Sequence, residues 1–390
     1  MQDLSAALSA RRQQHLYRTR QTLEGPQDVV VRIGDCDYLS FCSNDYLGLA
    51  NHPEIVAAFK EGADRFGVGS GAAHLITGHS YAHQALEEEL ADFVGSPRAL
   101  LFSTGYMANL GVVTALTGRG AEVFEDRLNH ASLLDAAGLS AARLVRYAHS
   151  DTQSLRHKLS VSGAQHRLIA TDGVFSMDGD RAPLLPMQQL AQRYAAWLLV
   201  DDAHGFGVLG NQGRGWCVEQ LGADQENLVL MATLGKALGT SGAFVAGSEA
   251  VIETLIQRAR TFIYTTASPP ALAWATRTAL RLVREGDERR ARLFSNIAYF
   301  RRSAAELGVS LMSSDTAIQP VLVGEAGTAV ELSEALRQRG VLVTAIRPPT
   351  VPQGASRLRI TLSANHSREQ LDRLLAALAE CGGEVAHAAP

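Results

Sequence analysis

LVLMATLGKALGTSGAFVAG, residues 228–247, reads as a strand, a tight turn and a second strand. The apolar run 228–231 has the length of a buried strand, and another apolar run fills 242–246. Gly235, Gly239 and Gly242 bend the chain between them and enclose Lys236. Lys60, Lys158 and Lys236 are the only lysines, arginine supplying all the other basic charge. Where charge alone was needed this sequence used arginine, so a lysine kept inside the turn suggests amine chemistry. Lys60 and Lys158 fall in polar helical patterns and read as solvated side chains. An amine held among glycines between apolar strands is partly desolvated, which favours the neutral form that attacks a carbonyl. A lysine snorkelling from a loop to water is the alternative, and the rest of the chain decides between the two.

Upstream of the turn, strand patterns at 99–102, 122–124, 144–147, 168–171 and 197–200 alternate with helical patterns at 107–116, 132–139, 152–159 and 185–194. That rhythm predicts an α/β fold with a mostly parallel sheet, whose ligands collect at the carboxyl ends of the strands. An arginine-rich amphipathic helix is expected from the N-terminus to about residue 22. After it come strands at 29–33 and 38–41 and helices at 53–66 and 83–94. Beyond Pro269 and Pro270 long helical patterns cover 272–285 and 289–307. A mixed section follows, with strands at 318–323, 341–345 and 358–362 and helices at 330–339 and 368–379. The expected organisation is an arm over 1–45, a large α/β domain over 46–284 and a smaller α/β domain over 285–390.

With 390 residues, 46% hydrophobic and 19% charged, the chain has the make-up of a soluble globular protein with a large core. A formal charge of -4 gives no case for nucleic acid or an acidic membrane, so an anionic ligand has to be met by a local cluster. Cys36, Cys42, Cys217 and Cys381 lack both the paired spacing of a zinc site and the density of a disulfide scaffold, and no metal is expected. The N-terminal residues carry no secretory signal and no stretch approaches a membrane span, which makes the cytoplasm the expected location.

Candidate chemistry lies where strands end. Asp201-Asp202-Ala203-His204-Gly205 follows the strand pattern 197–200. A carboxylate there can hold a protonated ring nitrogen and a histidine can bond a neighbouring hydroxyl; a cap and a satisfied histidine are the plainer reading. Gly205, Gly207 and Gly210 match the dinucleotide fingerprint of a nicotinamide-dependent oxidoreductase. However, Asn211, Gly213 and Gly215 prevent the helix that should receive pyrophosphate, and two aspartates upstream repel it. Gly105 and Tyr106 open a helix whose first N–H groups make a single-phosphate site or a plain cap. His130 either stacks on a flat ring or caps a helix. Ser176 either donates to a ring substituent or is a turn serine. Arg18, beside Arg11, Arg12 and Arg20, belongs to an anion site or to a solvated face. A phosphate site, a stacking histidine, a carboxylate, a second histidine and an amine, in chain order, describe the ligand set of pyridoxal 5′-phosphate.

Seven segments carry a closer likeness: SNDYLGLA from Ser43, HQALEEELADFVG from His83, DRLNHASLLDAA from Asp126, DGVFSMDGD from Asp172, VDDAHGFGVLGNQGRG from Val200, ATLGKALGTSGAF from Ala232 and AIRPPTVPQGASRLRITLSANH from Ala345. Together they span nearly the whole chain and resemble the α-oxoamine synthases, fold type I pyridoxal-phosphate enzymes. The last segment favours the branch that condenses L-alanine with pimeloyl-CoA or a pimeloyl carrier protein, in biotin biosynthesis, over branches using glycine or serine. The resemblance implies that Lys236 holds the cofactor aldehyde and acts as base and acid. It implies that Asp201 pairs with the ring nitrogen, His204 bonds the phenolic oxygen, and His130 stacks on the ring and assists decarboxylation. Gly105, Tyr106 and Thr233 would meet chiefly the phosphate and Ser176 the ring oxygen. Thr265 and Thr266 would reach the phosphate of a second subunit, since the family builds its sites at a homodimer interface. Arg18, Asn44, Thr350 and Arg359 would bind substrate, Arg359 through the amino-acid carboxylate. Gly71-Ala72-Ala73-His74 departs from the many relatives with further glycines, a serine or an arginine there, which bears on acyl-chain and carrier details. An aminotransferase and a non-catalytic pyridoxal-binding regulator are the competing classes.

Overall fold

The computed structural model describes residues 4–388. Residues 1–3 of the expected N-terminal helix and 389–390 of the expected last domain lie outside it. Two compact units divide the chain, one formed by 52–176 and 181–287, the other by the described residues of 1–51, 177–180 and 288–390.

The larger unit is built on seven strands. From one edge they run Arg98–Phe102, Ala243–Gly247, Leu228–Thr233, Trp197–Asp201, His166–Asp172, Ala121–Asp126 and Arg143–Tyr147. The last five are parallel, and Ala243–Gly247 runs antiparallel to both its neighbours. Parallel strands covered by helices on both faces must be apolar throughout, which is why WLLV and LVLMA carry no polar alternation. The helices Gly105–Leu116, Ala131–Leu139, Thr152–Ser160 and Leu184–Arg193 supply the connections that parallel strands require. Gly105–Leu116 packs into the core through Ala108, Val112 and Val113, against Leu133, Leu199 and Val229. The register aligns Asp172 with Asp201, and Asp201 with Met231, so two neighbouring strands end level and the third runs two residues further, to Thr233. Acidic side chains at such level ends face the ground where a ligand would sit.

The smaller unit has two three-stranded sheets, Val30–Ile33 with Cys36–Ser40 and Val341–Leu342, and Ile318–Gly324 with Ser356–Thr361 and Thr344–Ile346. The segment 177–180 is fastened to it by an ion pair between Asp178 and the buried Arg357. The Gly179 carbonyl also accepts bonds from Ser314 and Thr316, each at 3.0 Å. Gly179 has φ 76°, and a Cβ there would stand 2.4 Å from Ser314 Oγ, so both backbone and space demand glycine.

Several elements differ from the sequence expectation. The first helix is only Leu4–Gln13 and buries none of its residues, so no packed face carries it on toward residue 22, and His15 leaves it at φ 55°. The strand expected at 341–345 is two strands in different sheets, one pairing with Cys36–Ser40 and the other with Ser356–Thr361. A π-helical turn, His74–Gly78, and the helices Trp216–Leu221, Glu249–Arg258 and Arg260–Ile263 occupy stretches for which the sequence pattern gave no element. Among the described residues no helix is long and apolar enough to cross a membrane.

Candidate active site

Lys236 stands on the turn between Leu228–Thr233 and Ala243–Gly247. The turn is closed by bonds from Leu234 N to the Gly242 carbonyl at 2.9 Å, from Thr233 Oγ1 to the same carbonyl at 3.0 Å, and from Gly239 N to the Lys236 carbonyl at 2.9 Å. Gly239 and Gly242 hold the positive φ values, 68° and 105°, that this path needs. Half-buried, the Lys236 amine lies 2.9 Å from Nε2 of the buried His204. The side chain therefore turns into the unit rather than out to bulk water.

Asp201 ends its strand 5% exposed and accepts two N–H bonds, from Asn109 Nδ2 at 2.8 Å and from Ala203 N at 3.1 Å. Each of its two oxygens therefore accepts one N–H bond. Asp202 points the other way, into the protein. Its Oδ2 takes Cys217 N at 3.0 Å, Oδ1 has no partner, and burial pushes its pKa up to about 8. A Cβ at Gly205 would stand 2.1 Å from Asp202 Oδ1, and one at Gly215 2.3 Å from Oδ2. Gly205 and Gly215 thus make room for a buried carboxyl, and directly after Gly210 comes the 3-10 turn Asn211–Gly213, the helix Trp216–Leu221 starting only beyond Gly215. Gly207, at φ 85°, lets Ala237 close in, with a Cβ there only 2.7 Å from that of Ala237.

His130 both caps a helix and presents an exposed ring. Its backbone N–H donates to Asp172 Oδ2 at 3.0 Å, and its Nδ1 receives Ser132 N at 3.3 Å at the start of Ala131–Leu139. Burial of the ring's inner side lowers its pKa first, with Asp201 and Asp135 raising it and Lys236 lowering it. Asp172 is raised well above the ordinary carboxylate range by burial, then by Asp201, against the pull of Lys236. The His130 backbone bond to Asp172, and the register that sets Asp172 beside Asp201, bring these three to neighbouring strand ends. Tyr106 meets the His130 ring edge-on, centroids 6.5 Å apart, while its hydroxyl bonds Asp135. The phenol expected to face a phosphate is accordingly occupied by a carboxylate.

Gly105 begins the helix Gly105–Leu116, where backbone N–H groups point outward without intrahelical partners. Half-buried Ser176 and Thr233 lie beyond the strands His166–Asp172 and at the end of Leu228–Thr233. Thr265 and Thr266 follow the helix Arg260–Ile263, and Thr266 bridges Ala73. The departure at 71–74 sits in the same region. His74 stacks on Phe262 and pairs with His79, Nδ1 to Nδ1 at 2.9 Å. His83 accepts from Ser80 N at 3.1 Å and meets the Ser268 carbonyl at 2.8 Å, so this histidine cluster braces a helix start.

The smaller unit carries the expected substrate residues. Both terminal nitrogens of the buried Arg359 donate to Asn44 Oδ1 at 3.2 Å, and Tyr46 OH donates to the same oxygen at 3.1 Å. Arg18 reaches Thr350 Oγ1 at 3.5 Å, on the wall of a cavity of about 490 Å³ that Arg347 also lines. Burial lowers the pKa of Arg347, and the neighbouring charge of Arg18 adds to it. Sequence reasoning passed over Arg347, although it stands in the quoted AIRPPT run. It also missed Asn109, Ser132 and Asp172, for which only the strand-end position of Asp172 was a signal.

The donor set suits pyridoxal phosphate. A strand-end carboxylate, an amine beside an imidazole and an exposed flat ring stand on one unit. A Cβ at Gly105 would meet nothing closer than Met231 at 3.5 Å, ordinary contact, so packing within the chain does not itself demand glycine at that helix start. Buried Asn109 Oδ1 and Asp172 Oδ1 have no partner within the protein.

The family described as aminotransferase class I and II matches residues 37–378. An 8-amino-7-oxononanoate synthase of Methylococcus capsulatus is 60% identical over 379 residues, 97% of this chain and 98% of that protein. Among solved structures, a serine palmitoyltransferase from S. paucimobilis with a pyridoxal-phosphate–myriocin aldimine bound superposes at TM-score 0.92, with 30% identity over 98% of both chains. An 8-amino-7-oxononanoate synthase from Francisella tularensis superposes at TM-score 0.76 with 33% identity, over 89% of this chain and 98% of that one.

Proposed function

We propose a function from one premise: the chain belongs to the 8-amino-7-oxononanoate synthases, within the class I and II aminotransferase family. It is a pyridoxal-phosphate-dependent acyltransferase of the fold type I class. On our reading it condenses L-alanine with a pimeloyl thioester of CoA or of a carrier protein, releasing carbon dioxide and free thiol, in the cytoplasm and as a homodimer. The observation that carries this reading is the Lys236 amine 2.9 Å from His204, on the unit where Asp201 ends its strand buried.

Lys236 would hold the cofactor aldehyde, then as a free amine take the proton from the α carbon of alanine and later return one. When bound, pyridoxal phosphate supplies an electron sink for the bonds broken at that carbon. Asp201 would face the ring nitrogen and favour its protonated form. His204 would hydrogen-bond the ring oxygen, with Ser176 beside it. His130 would stack on the ring and assist the loss of carbon dioxide with a hydrogen bond. Gly105 and Thr233 would hold the phosphate, with Tyr106 beside them while its hydroxyl stays on Asp135, and Thr265 and Thr266 would serve the phosphate of a second subunit. Arg359, with Asn44 and Thr350, takes the amino-acid substrate, its planar fork suited to a carboxylate. Arg18 takes the distal carboxylate of the pimeloyl chain or a phosphate of its carrier.

The experiment is thiol release from pimeloyl-CoA offered with alanine, glycine or serine. One thiol and one carbon dioxide per turnover with alanine is the expected result. Thiol release with glycine or serine but not alanine would move the chain to a sister branch. Loss of the substrate amino group to the cofactor without thiol would make it an aminotransferase.

A further inference from the structure

Four side chains on three elements form one unbroken line in the larger unit. Asn109, on Gly105–Leu116, donates one amide hydrogen to Asp201 Oδ2 and the other to Ser132 Oγ, both at 2.8 Å. Ser132 Oγ lies 2.8 Å from His130 Nδ1. Asn109 and Ser132 are both 0% exposed, so no water competes for these bonds.

The line has only one direction. Asp201 accepts, so the Asn109 amide donates at both ends. Ser132 Oγ, having received one hydrogen, carries a single hydrogen of its own, and the acceptor in front of it is His130 Nδ1. The backbone N–H of Ser132 points at the same Nδ1 from 3.3 Å, and a backbone donor cannot reverse. A proton on Nδ1 would face the fixed backbone N–H and leave the hydrogen of the buried Ser132 hydroxyl without an acceptor. We infer that Asn109 and Ser132 are positioning residues that transmit the acceptor state of Asp201 to His130 and fix its ring as the Nε2–H tautomer, with Nε2 the atom that donates toward substrate.

The inference rests on the proposed function and refines it, by naming the atom of His130 that acts and what sets it. The groups facing the ring agree with a neutral imidazole: burial and Lys236 oppose the charged form, outweighing Asp201 and Asp135, while Asp172 is engaged by the His130 backbone and Tyr106 by Asp135. A donor to Nδ1 stabilises the neutral ring, so removing the Ser132 hydroxyl should raise the pKa of His130.

The test is nitrogen NMR of the holoenzyme labelled at histidine, with the His130 signals assigned by their absence in His130→Gln. The wild type should show Nδ1 bare and Nε2 protonated at neutral pH. In Ser132→Ala the ring should sample both tautomers, the acid limb of kcat should move up by roughly half to one pH unit, and kcat should fall about tenfold with KM for alanine unchanged, the worth of one hydrogen bond. A wild-type ring protonated at Nδ1 overturns the inference without any variant, and so does a Ser132→Ala enzyme with unaltered tautomer and pH profile. The wild-type spectrum is informative whether or not thiol is released from pimeloyl-CoA, so failure here and failure of the proposed function are separate results.

Discussion

Lys236 and Asp201 are the residues on which the chemistry turns, and each was legible for a physical reason. A lysine in a chain that otherwise uses arginine, set among glycines, has little structural purpose, and the fold bends it to within 2.9 Å of His204. Asp201 stands where a parallel strand ends, the one place in such a sheet open to a ligand. Asp201→Asn keeps the shape but removes the charge that would hold the ring nitrogen protonated. Asn109 can turn its amide to offer Oδ1, which lacks a partner, to the new amide, so the fold should tolerate the change. We expect kcat to fall by roughly 10²–10³ with the melting temperature nearly unchanged, read by steady-state kinetics and calorimetry. Equal turnover in the variant would remove Asp201 from the mechanism. Asn109 and Ser132 were not legible, because their meaning lies in a bond across 23 positions that no local pattern encodes.

At the scale of elements, alternating apolar and helical patterns mapped the strands of the large sheet closely, since both faces of the inner parallel strands are buried and the apolar run stands out, the edge strand Arg143–Tyr147 alone being largely exposed. Elements stabilised by distant partners were harder to see. Residues 341–346 look like one strand but divide between two sheets. The segment Gly205–Gly210 was recognisable as something other than a dinucleotide turn, because no helix could follow it, yet its purpose appeared only with Asp202 in place. Gly205→Ala should therefore act on stability: its Cβ would stand 2.1 Å from Asp202 Oδ1 and 3.0 Å from Trp216 N. Overpacking of that kind should cost about 2 kcal/mol, measured by denaturant unfolding of the apoprotein. A neutral effect would show that the segment gives way freely, contrary to the packing described.

For the whole molecule, buried carboxyls set a pH dependence with a definite sign. Desolvation raises Glu87 from 4.5 to about 7, with the bond from Leu101 N opposing it. The folded protein then binds more protons than the unfolded chain between those values. The stability from Glu87 is full below about pH 4.5 and lost as pH rises through about 7. Glu87→Gln, which keeps an acceptor for Leu101 N, should match the wild type near pH 4.5 and exceed it by on the order of 2 kcal/mol at pH 8, seen in unfolding curves taken across that range. A constant difference between the two proteins would refute the assignment. The same whole molecule offers the most direct test of the central claim, that Lys236 is the residue that binds the cofactor covalently. Intact mass and peptide mapping after borohydride treatment of the pyridoxal-phosphate-loaded protein should show one reduced cofactor per chain, attached at Lys236, and none on Lys236→Ala. A cofactor fixed at Lys60 or Lys158, or none fixed on the wild type, would contradict it.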